Sequence, residues 1–301
     1  MLSNRKTRIV FNDFASELID IDNGTTQGCP LSMILYAFYY ALLILTATGS
    51  NEMALGFVDD SIFLAIARSL PEAHQTLKEM MERRGGGFEW SHTHNSPFEP
   101  NKLALMNFLR SHRDNPPINL TISKPGPNET STQITVKTAN KYKYLGVILE
   151  PSLHWLLHHQ KVIAKVTWWV NQVSRLSRTS GGLPPKRIRQ LYTMVAIPIF
   201  TYAADIWFTD IHSTQTGSKC LGSVALAKKL TSVQRQATRT ITGSLRTAAG
   251  DILEAHANLI PIDLLFRKIL FRAATRLASL PSSHPLYHPI RQSAKRFVKK
   301  H

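Results

Sequence analysis

"LGFVDDSIFLA", residues 55–65, decides how this chain reads. Two neighbouring carboxylates, Asp59 and Asp60, stand between two short apolar runs. Runs of this composition read as paired strands, here 53–58 and 61–67, with the acids in the turn between them. The flanks "MALGFV" and "SIFLAIA" alternate little, which predicts strands covered on both faces and a buried hairpin with an exposed acidic tip. Adjacent carboxylates repel, so ionising both is costly. A divalent cation removes that cost, and Mg²⁺ takes hard oxygen ligands, commonly one or two carboxylates plus substrate phosphates. A plain Asp-Asp turn is the simpler reading of the dipeptide alone, since Asp favours turns.

Working outward, "TTQGCPLS" at 25–32 precedes a long apolar segment. Gly28 permits close backbone approach, and Pro30 sets the entry to a helix over 32–47 whose first turn holds Ser32. The positive helix end suits a nucleotide seated against the backbone. Residues 31–49 carry no charge, which is near the lower limit for a membrane span. Their flanks hold Asp20, Asp22 and Glu52 rather than a Lys/Arg cluster, so a buried helix is preferred and a span at 31–49 is the alternative.

Elsewhere in the first half, 7–22 reads as two β-type runs with a turn near Asn12–Asp13, 69–84 as a helix started by Ser69 and Pro71 and stopped by the glycines at 85–87, and 102–109 as a strand. Residues 111–130 read as a polar loop, "QITVK" at 133–137 as an edge strand, and "YKYLGVILE" at 142–150 as a strand containing a glycine. Beyond 151 helical periodicity takes over, over 152–178, 184–209 (kinked at Pro198), 221–245, 249–258 and 261–280. A Pro/His-rich, then basic, tail covers 281–301.

The charge changes at the same place. Residues 1–150 hold 14 Lys+Arg and 15 Asp+Glu, whereas 151–301 hold 22 and 5. A neutral half followed by a strongly basic one fits an acidic site joined to a polyanion-gripping segment. The two cysteines, Cys29 and Cys220, support neither a disulfide framework nor a Cys-based zinc site, and a reducing, intracellular setting (cytoplasmic or nuclear) is the default. The N-terminal "MLSNRKTRIV" has no apolar signal core.

"QGCPLSMILYAFYYALL" followed by "LGFVDDSIFLA" resembles motifs B and C of reverse transcriptases from LINE-type (non-LTR) retrotransposons. "HNSPFEPNKLALMNF" resembles their motif D region and "YKYLGVILEPSLHW" their motif E, and the helical segments "LYTMVAIPIFTYAADIW" and "LTSVQRQATRTITGSLRTA" resemble those that follow the palm. The resemblance implies an α+β fold, a partial polymerase palm (antiparallel sheet with helices) over 1–150, an all-helical thumb-like region over 151–280 and a basic tail over 281–301. It implies RNA-directed DNA synthesis in the parent, with Mg²⁺ or Mn²⁺ as cofactor and an RNA template, a DNA primer and a dNTP as partners.

Carried over residue by residue, Asp59 matches the first motif C aspartate, a metal ligand, and Asp60 the second. Gln27, Gly28, Pro30 and Ser32 match the nucleotide- and template-contacting motif B. Lys102 matches the motif D lysine, a proton donor to the leaving group, and Tyr144, Leu145 and Gly146 match the primer-grip turn. Phe57 and Val58 replace the common Tyr-Ala before the acids, and both fit a buried strand. The family's third carboxylate, in motif A, and its fingers have no match here. Asp13, Asp20 and Asp22 fall in the stretch resembling the hairpin between motifs A and B. The resemblance therefore implies a chain lacking the N-terminal palm, the fingers and the endonuclease segment of a parent element, with little or no polymerase activity alone. A non-enzymatic basic nucleic-acid-binding protein is the alternative.

In the basic half, Lys161, Lys165, Arg175, Arg178, Lys186, Arg187, Arg189, Arg235, Arg239 and Arg246 are the candidates for holding a nucleic-acid backbone, by charge rather than base readout. Arg235 and Arg239 sit one helical turn apart. His154 and His158 have the i, i+4 spacing of a metal pair; with no Cys or nearby carboxylate to complete it, solvated or half-buried histidines are preferred. Trp155, Trp168 and Trp169 read as helix-packing residues.

Overall fold

The computed structural model describes residues 5–21, 29–109, 118–125, 131–177, 181–213 and 220–300. The fold is α+β, built from helices and two-stranded antiparallel ribbons. Contacts part the chain into residues 1–140 and 141–301.

In the first unit, β1 (Arg5–Thr7) pairs with β4 (Ile19–Ile21), and β2 (Val10–Phe11) pairs with β3 (Phe14–Ala15) across Asn12–Asp13. Helix α1 (Pro30–Ile44) opens on a proline, whose missing N–H is no loss at that position. It ends after 15 residues, a length of about 22 Å, against the roughly 30 Å of a bilayer core. Thr46 turns the chain there, its hydroxyl donating to Leu43 O at 2.7 Å. The span considered at 31–49 is therefore not formed, and no helix among the described residues is long and apolar enough to cross a membrane.

Strands β5 (Glu52–Phe57) and β6 (Asp60–Ala65) form a hairpin in which Phe57 faces Asp60. The turn is thus Val58–Asp59, one residue earlier than the sequence reading, and Asp60 opens the second strand. Cover on both faces is not found. Met53, Leu55 and Phe57 are exposed, Phe57 at 57%, while Ala54 on the other face is buried. Period-two alternation puts those three side chains on one side, and α1 packs on the other. Gly56 makes that packing feasible: a Cβ there would lie 2.1 Å from the Tyr40 ring.

Helix α2 (Leu70–Glu82) is capped by Ser69, whose hydroxyl accepts the Glu72 N–H at 3.4 Å. The following glycines both stop it and lead into α3 (Gly87–Thr93), a helix the sequence reading lacks. The strand expected at 102–109 is absent; a 3₁₀ turn at Pro100–Lys102 and a single bridge from Leu105 to Thr138 replace it. Conversely, β7 (Leu120–Pro125) lies in the expected polar loop and pairs with β8 (Ser131–Val136). Two small cores result, one around Met81, Phe88, Ile122 and Val136, the other around Tyr40, Leu43 and Trp90.

The second unit begins with a second hairpin. Strands β9 (Tyr142–Tyr144) and β10 (Val147–Leu149) pair across a Leu145–Gly146 turn, so the single strand read at 142–150 is corrected to a ribbon. Both turn residues have positive φ, 44° and 85°, the signature of a type I′ turn. The helices are α4 (Leu156–Leu176), α5 (Pro185–Leu191), α6 (Ile197–Thr201), α7 (Ala204–Trp207), α8 (Val224–Thr242), α9 (Gly250–His256), α10 (Ile262–Ala278) and α11 (Tyr287–Lys300). A small ribbon, β11 (His212–Ser213) with β12 (Cys220–Leu221), sits between α7 and α8 in the chain. Helix α11 falls in the segment read as a tail; Pro289 is in its first turn, where proline is tolerated.

Between α5 and α6 the chain makes a π turn, Tyr192–Ala196, closed by the Ile197 N–H donating to Tyr192 O. Pro198 follows at once. A proline brings no N–H and crowds the carbonyl four residues back, and the wider turn takes up that crowding where a kink was expected. Val162, Val166, Val170 and Val173 recur at helical spacing on α4 and pack with Leu230, Val233, Ala237 and Ile241 of α8 in one large core. Inside it the Tyr192 hydroxyl donates to Gln234 Oε1 at 3.0 Å, and Gln234 Nε2 donates to Glu254 and to Ile260 O.

Candidate active site and nucleic-acid interface

Asp59 and Asp60 are both exposed at the tip of the first hairpin. Val58, beside them, takes φ 54°, a genuine outlier for a β-branched residue and a site of stored strain. The hairpin is anchored at its base. Glu52, at the start of β5, receives both Arg83 guanidinium nitrogens, at 2.7 and 2.6 Å, and Arg83 also donates to Thr46 O. The Arg83 hydrogen bonds hold the Glu52 carboxyl down to about 2.

The Asp59 carboxylate acts on two neighbours. Burial raises the Tyr36 hydroxyl pKa, and the charge of Asp59 raises it further. Lys102 is raised first by its ion pair with Glu99, 2.6 Å away, and Asp59 adds to the effect. The structure thus places Asp59 in the electrostatic reach of Lys102 and of Tyr36 on α1. Sequence reading passed over Tyr36 and Glu99. Glu99 carried a signal, its three-residue spacing from Lys102; Tyr36 sits in a charge-free helix and carried none.

Pro30 opens α1, and the Ser32 N–H donates to Cys29 O at 3.0 Å. The N–H groups of Ser32 and Leu31 hold the Cys29 thiol below its ordinary pKa, as the positive end of a helix does. Gln27 and Gly28 lie outside the described residues. Phe57, read as a buried-strand residue, is exposed, and Val58 is in the turn rather than the strand.

For a divalent cation, the hairpin tip offers hard carboxylate oxygens of the right kind. No group of three or more His, Cys, Asp or Glu side chains that could hold a metal occurs among the described residues. Asp59 and Asp60 alone do not complete a cage.

In the second unit, the Tyr144–Leu145–Gly146 turn is fastened by Tyr202, whose hydroxyl donates to Leu145 O at 2.7 Å. A Cβ on Gly146 would lie 3.1 Å from the Tyr202 ring. Lys161, Lys165 and Arg175 are exposed on α4, Lys186 and Arg187 at the start of α5, and Arg246 after α8. Others are engaged: Arg189 donates to the carbonyls of Ala257 and Asn258 behind α9, and Arg235 to Ala248 O. Arg239 is half-buried, and Arg178 lies outside the described residues.

His154 precedes α4, so the helical spacing to His158 is not realised. His158 itself is 3% exposed rather than solvated or half-buried. Trp155 and Trp169 pack on the core, but Trp168, read as a packing residue, is 63% exposed.

No family model and no solved structure matches the chain. Over 215 residues, 67% of this chain, it is 23% identical to the RNA-directed DNA polymerase from mobile element jockey of Drosophila funebris. The chain spans about a fifth of the length of that curated relative, 21%. At this identity the likeness supports a distant relation to the reverse transcriptase family and nothing finer.

Proposed function

We propose that the chain is the palm-to-thumb portion of an RNA-directed DNA polymerase of the non-LTR retrotransposon type, acting inside the cell on an RNA/DNA hybrid and a dNTP. The observation that carries this reading is the first hairpin: two adjacent exposed acids on a strained turn, with the charge of one felt by Lys102. The distant relative supports the same chemistry. Asp59 and Asp60 would share a divalent cation with the nucleotide triphosphate, and when bound that ion supplies charge neutralisation and activates the primer hydroxyl. Lys102, kept protonated by Glu99, is the group to return a proton to departing pyrophosphate once it leaves its carboxylate partner. The start of α1, with Pro30 and Ser32, faces the nucleotide with its amide end. The Leu145–Gly146 turn holds the primer strand, and the basic helices hold duplex phosphates without reading sequence.

Because the resemblance matches two carboxylates, Asp59 and Asp60, and no third, we infer that the isolated chain binds hybrid but extends a primer little or not at all. Primer extension on poly(rA)/oligo(dT) with Mg²⁺ or Mn²⁺, alongside hybrid binding by fluorescence anisotropy, tests both parts. Binding that weakens steeply with salt, and extension near background, is the expected outcome. Extension that Asp59→Ala abolishes would show the chain to be self-sufficient. Extension unchanged in Asp59→Ala, or no hybrid binding, would remove the polymerase reading.

A further inference from the structure

Helix α1 (Pro30–Ile44) contains no charged residue, and a helix apolar on every side is one that is buried on every side. The structure buries only half of it. Tyr40 and Leu43, with Tyr36 and Tyr39 beside them, pack towards β5 and towards Trp90 of α3. Helical spacing puts Leu31, Ile34, Phe38, Ala41 and Leu45 on the opposite side. All five are exposed, Phe38 at 75% and Leu45 at 69%. Their separations of three, four, three and four residues are those of a helix-pairing seam, in which each apolar side chain seats in a hole on a facing helix. Ala37 and Leu42, also exposed, flank the seam.

Charge selects what covers this face. The chain carries +16, and a net charge of that size holds copies of a protein apart. The excess lies beyond residue 150, where Lys and Arg outnumber Asp and Glu by 22 to 5, while residues 31–49 carry no charge. Two copies can therefore meet at α1 with no like charges in the contact. A nucleic-acid strand would find no cation in the seam, and a helix lying on a membrane surface has a basic face that α1 lacks. The size of the face agrees with a second copy. Leu31, Ile34, Phe38, Leu42 and Leu45 are 48–75% exposed. At about 150–200 Å² for a whole large side chain, these residues with Ala37 and Ala41 offer roughly 600 Å² per copy, and two such faces reach the roughly 1,200 Å² at which stable interfaces begin.

We propose that the exposed face of α1 is a dimer interface, in which the seam of one copy packs on the same seam of a second copy about a two-fold axis near Phe38. Phe38 is in the middle of the seam, so in such a self-complementary contact it meets its own counterpart and its loss counts twice. Ala37 and Ala41, on either side of it, let the two helices approach closely. The first hairpin packs on the other side of α1, so pairing leaves the acidic tip open. An area at the lower limit gives a dimer in reversible exchange with monomer, with a dissociation constant on the order of micromolar. Dimerisation through α1 stands or falls independently of the polymerase reading.

Sedimentation velocity of the full chain, treated with nuclease and run across a concentration series at low and high salt, tests this. A monomer–dimer equilibrium that persists as salt rises is expected, because apolar burial is not screened as charge pairing is. Phe38→Glu sets two carboxylates against each other at the centre of the contact and should weaken the dimer at least about a hundredfold. Phe38→Leu should retain it. Phe271→Glu makes the same change at a side chain 73% exposed on α10 and should leave the dimer unaltered. Circular dichroism and thermal melting of diluted samples separate lost pairing from lost folding. Leu45→Glu, just past the last turn of α1, should also disrupt the dimer and cannot break the helix from within. A wild type that stays monomeric at every concentration would overturn the proposal and leave the face to a segment outside this chain. A dimer that survives both Phe38→Glu and Leu45→Glu, that Phe271→Glu weakens equally, or that high salt dissolves would overturn it as well.

Discussion

The two hairpins differ in where they are held. The second is held at its tip: Tyr202 bonds Leu145 O, its ring lies against Gly146, and Val147 just beyond is buried. The first is held at its base, by Glu52 on Arg83 and by Tyr40 under Gly56, and its tip stays open with both acids exposed. Each carries a bulky residue at positive φ in the turn, Val58 or Leu145. The difference teaches that a strained turn can be kept in place from either end. Base anchoring leaves the Asp59–Asp60 tip exposed, whereas tip anchoring fastens the Leu145–Gly146 turn to Tyr202.

The base anchor should be the costliest to remove. Glu52→Gln leaves Arg83 facing a neutral amide, and breaking such a pair costs about 3 kcal/mol, measurable as a lower urea midpoint. A loss under about 0.5 kcal/mol would show that Tyr40 and Gly56 hold the hairpin alone. The same pair sets an acid limit. The folded Glu52 pKa, about 2, lies below its unfolded value, so its contribution is complete above about pH 4.5 and fades as pH falls towards 2. Glu52→Gln should flatten the stability profile in that window and leave the neutral region parallel to wild type.

Gly56→Ala comes next. Its methyl would strike the Tyr40 ring, and overpacking of this kind costs about 1–3 kcal/mol, with a changed near-ultraviolet signal from the Tyr40–Trp90 cluster. An unchanged signal would mean α1 does not depend on this contact. Tyr202→Phe removes one hydrogen bond from the second hairpin, about 1 kcal/mol, and should loosen amide exchange at Leu145–Val147 while leaving residues 52–65 untouched. Coupled loosening of both hairpins would break the comparison. Val58→Gly should change stability least, because relieved strain and added chain entropy nearly cancel, within about 1 kcal/mol. Its visible effect should be a more mobile acidic tip in relaxation measurements.

Much of this was legible in the sequence. The acidic hairpin, the helix opened by Pro30 and the helical second half follow from local chemistry: β-branched runs around a turn, a proline at a helix start, apolar residues every three or four positions. What was missed turns on partners distant in the chain. The face of β5 bearing Met53, Leu55 and Phe57 is exposed because no described residue covers it, which no strand pattern can reveal. The segment 102–109 looks like a strand but finds only one bridge. The Leu145–Gly146 turn needs Tyr202, 57 residues away, to hold a leucine at positive φ. At the candidate site the carboxylates were legible, whereas the tie of Lys102 to Glu99 and the burial of His158 depended on three-dimensional placement.

The most direct test of the central claim is paramagnetic broadening by Mn²⁺ of backbone amide resonances in the full chain, with RNA/DNA hybrid and dTTP present. If the open tip presents its acids to a shared cation, broadening centres on residues 57–62, spreads to Lys102, and disappears in Asp59→Ala. Broadening centred elsewhere, or unchanged in Asp59→Ala, would contradict it.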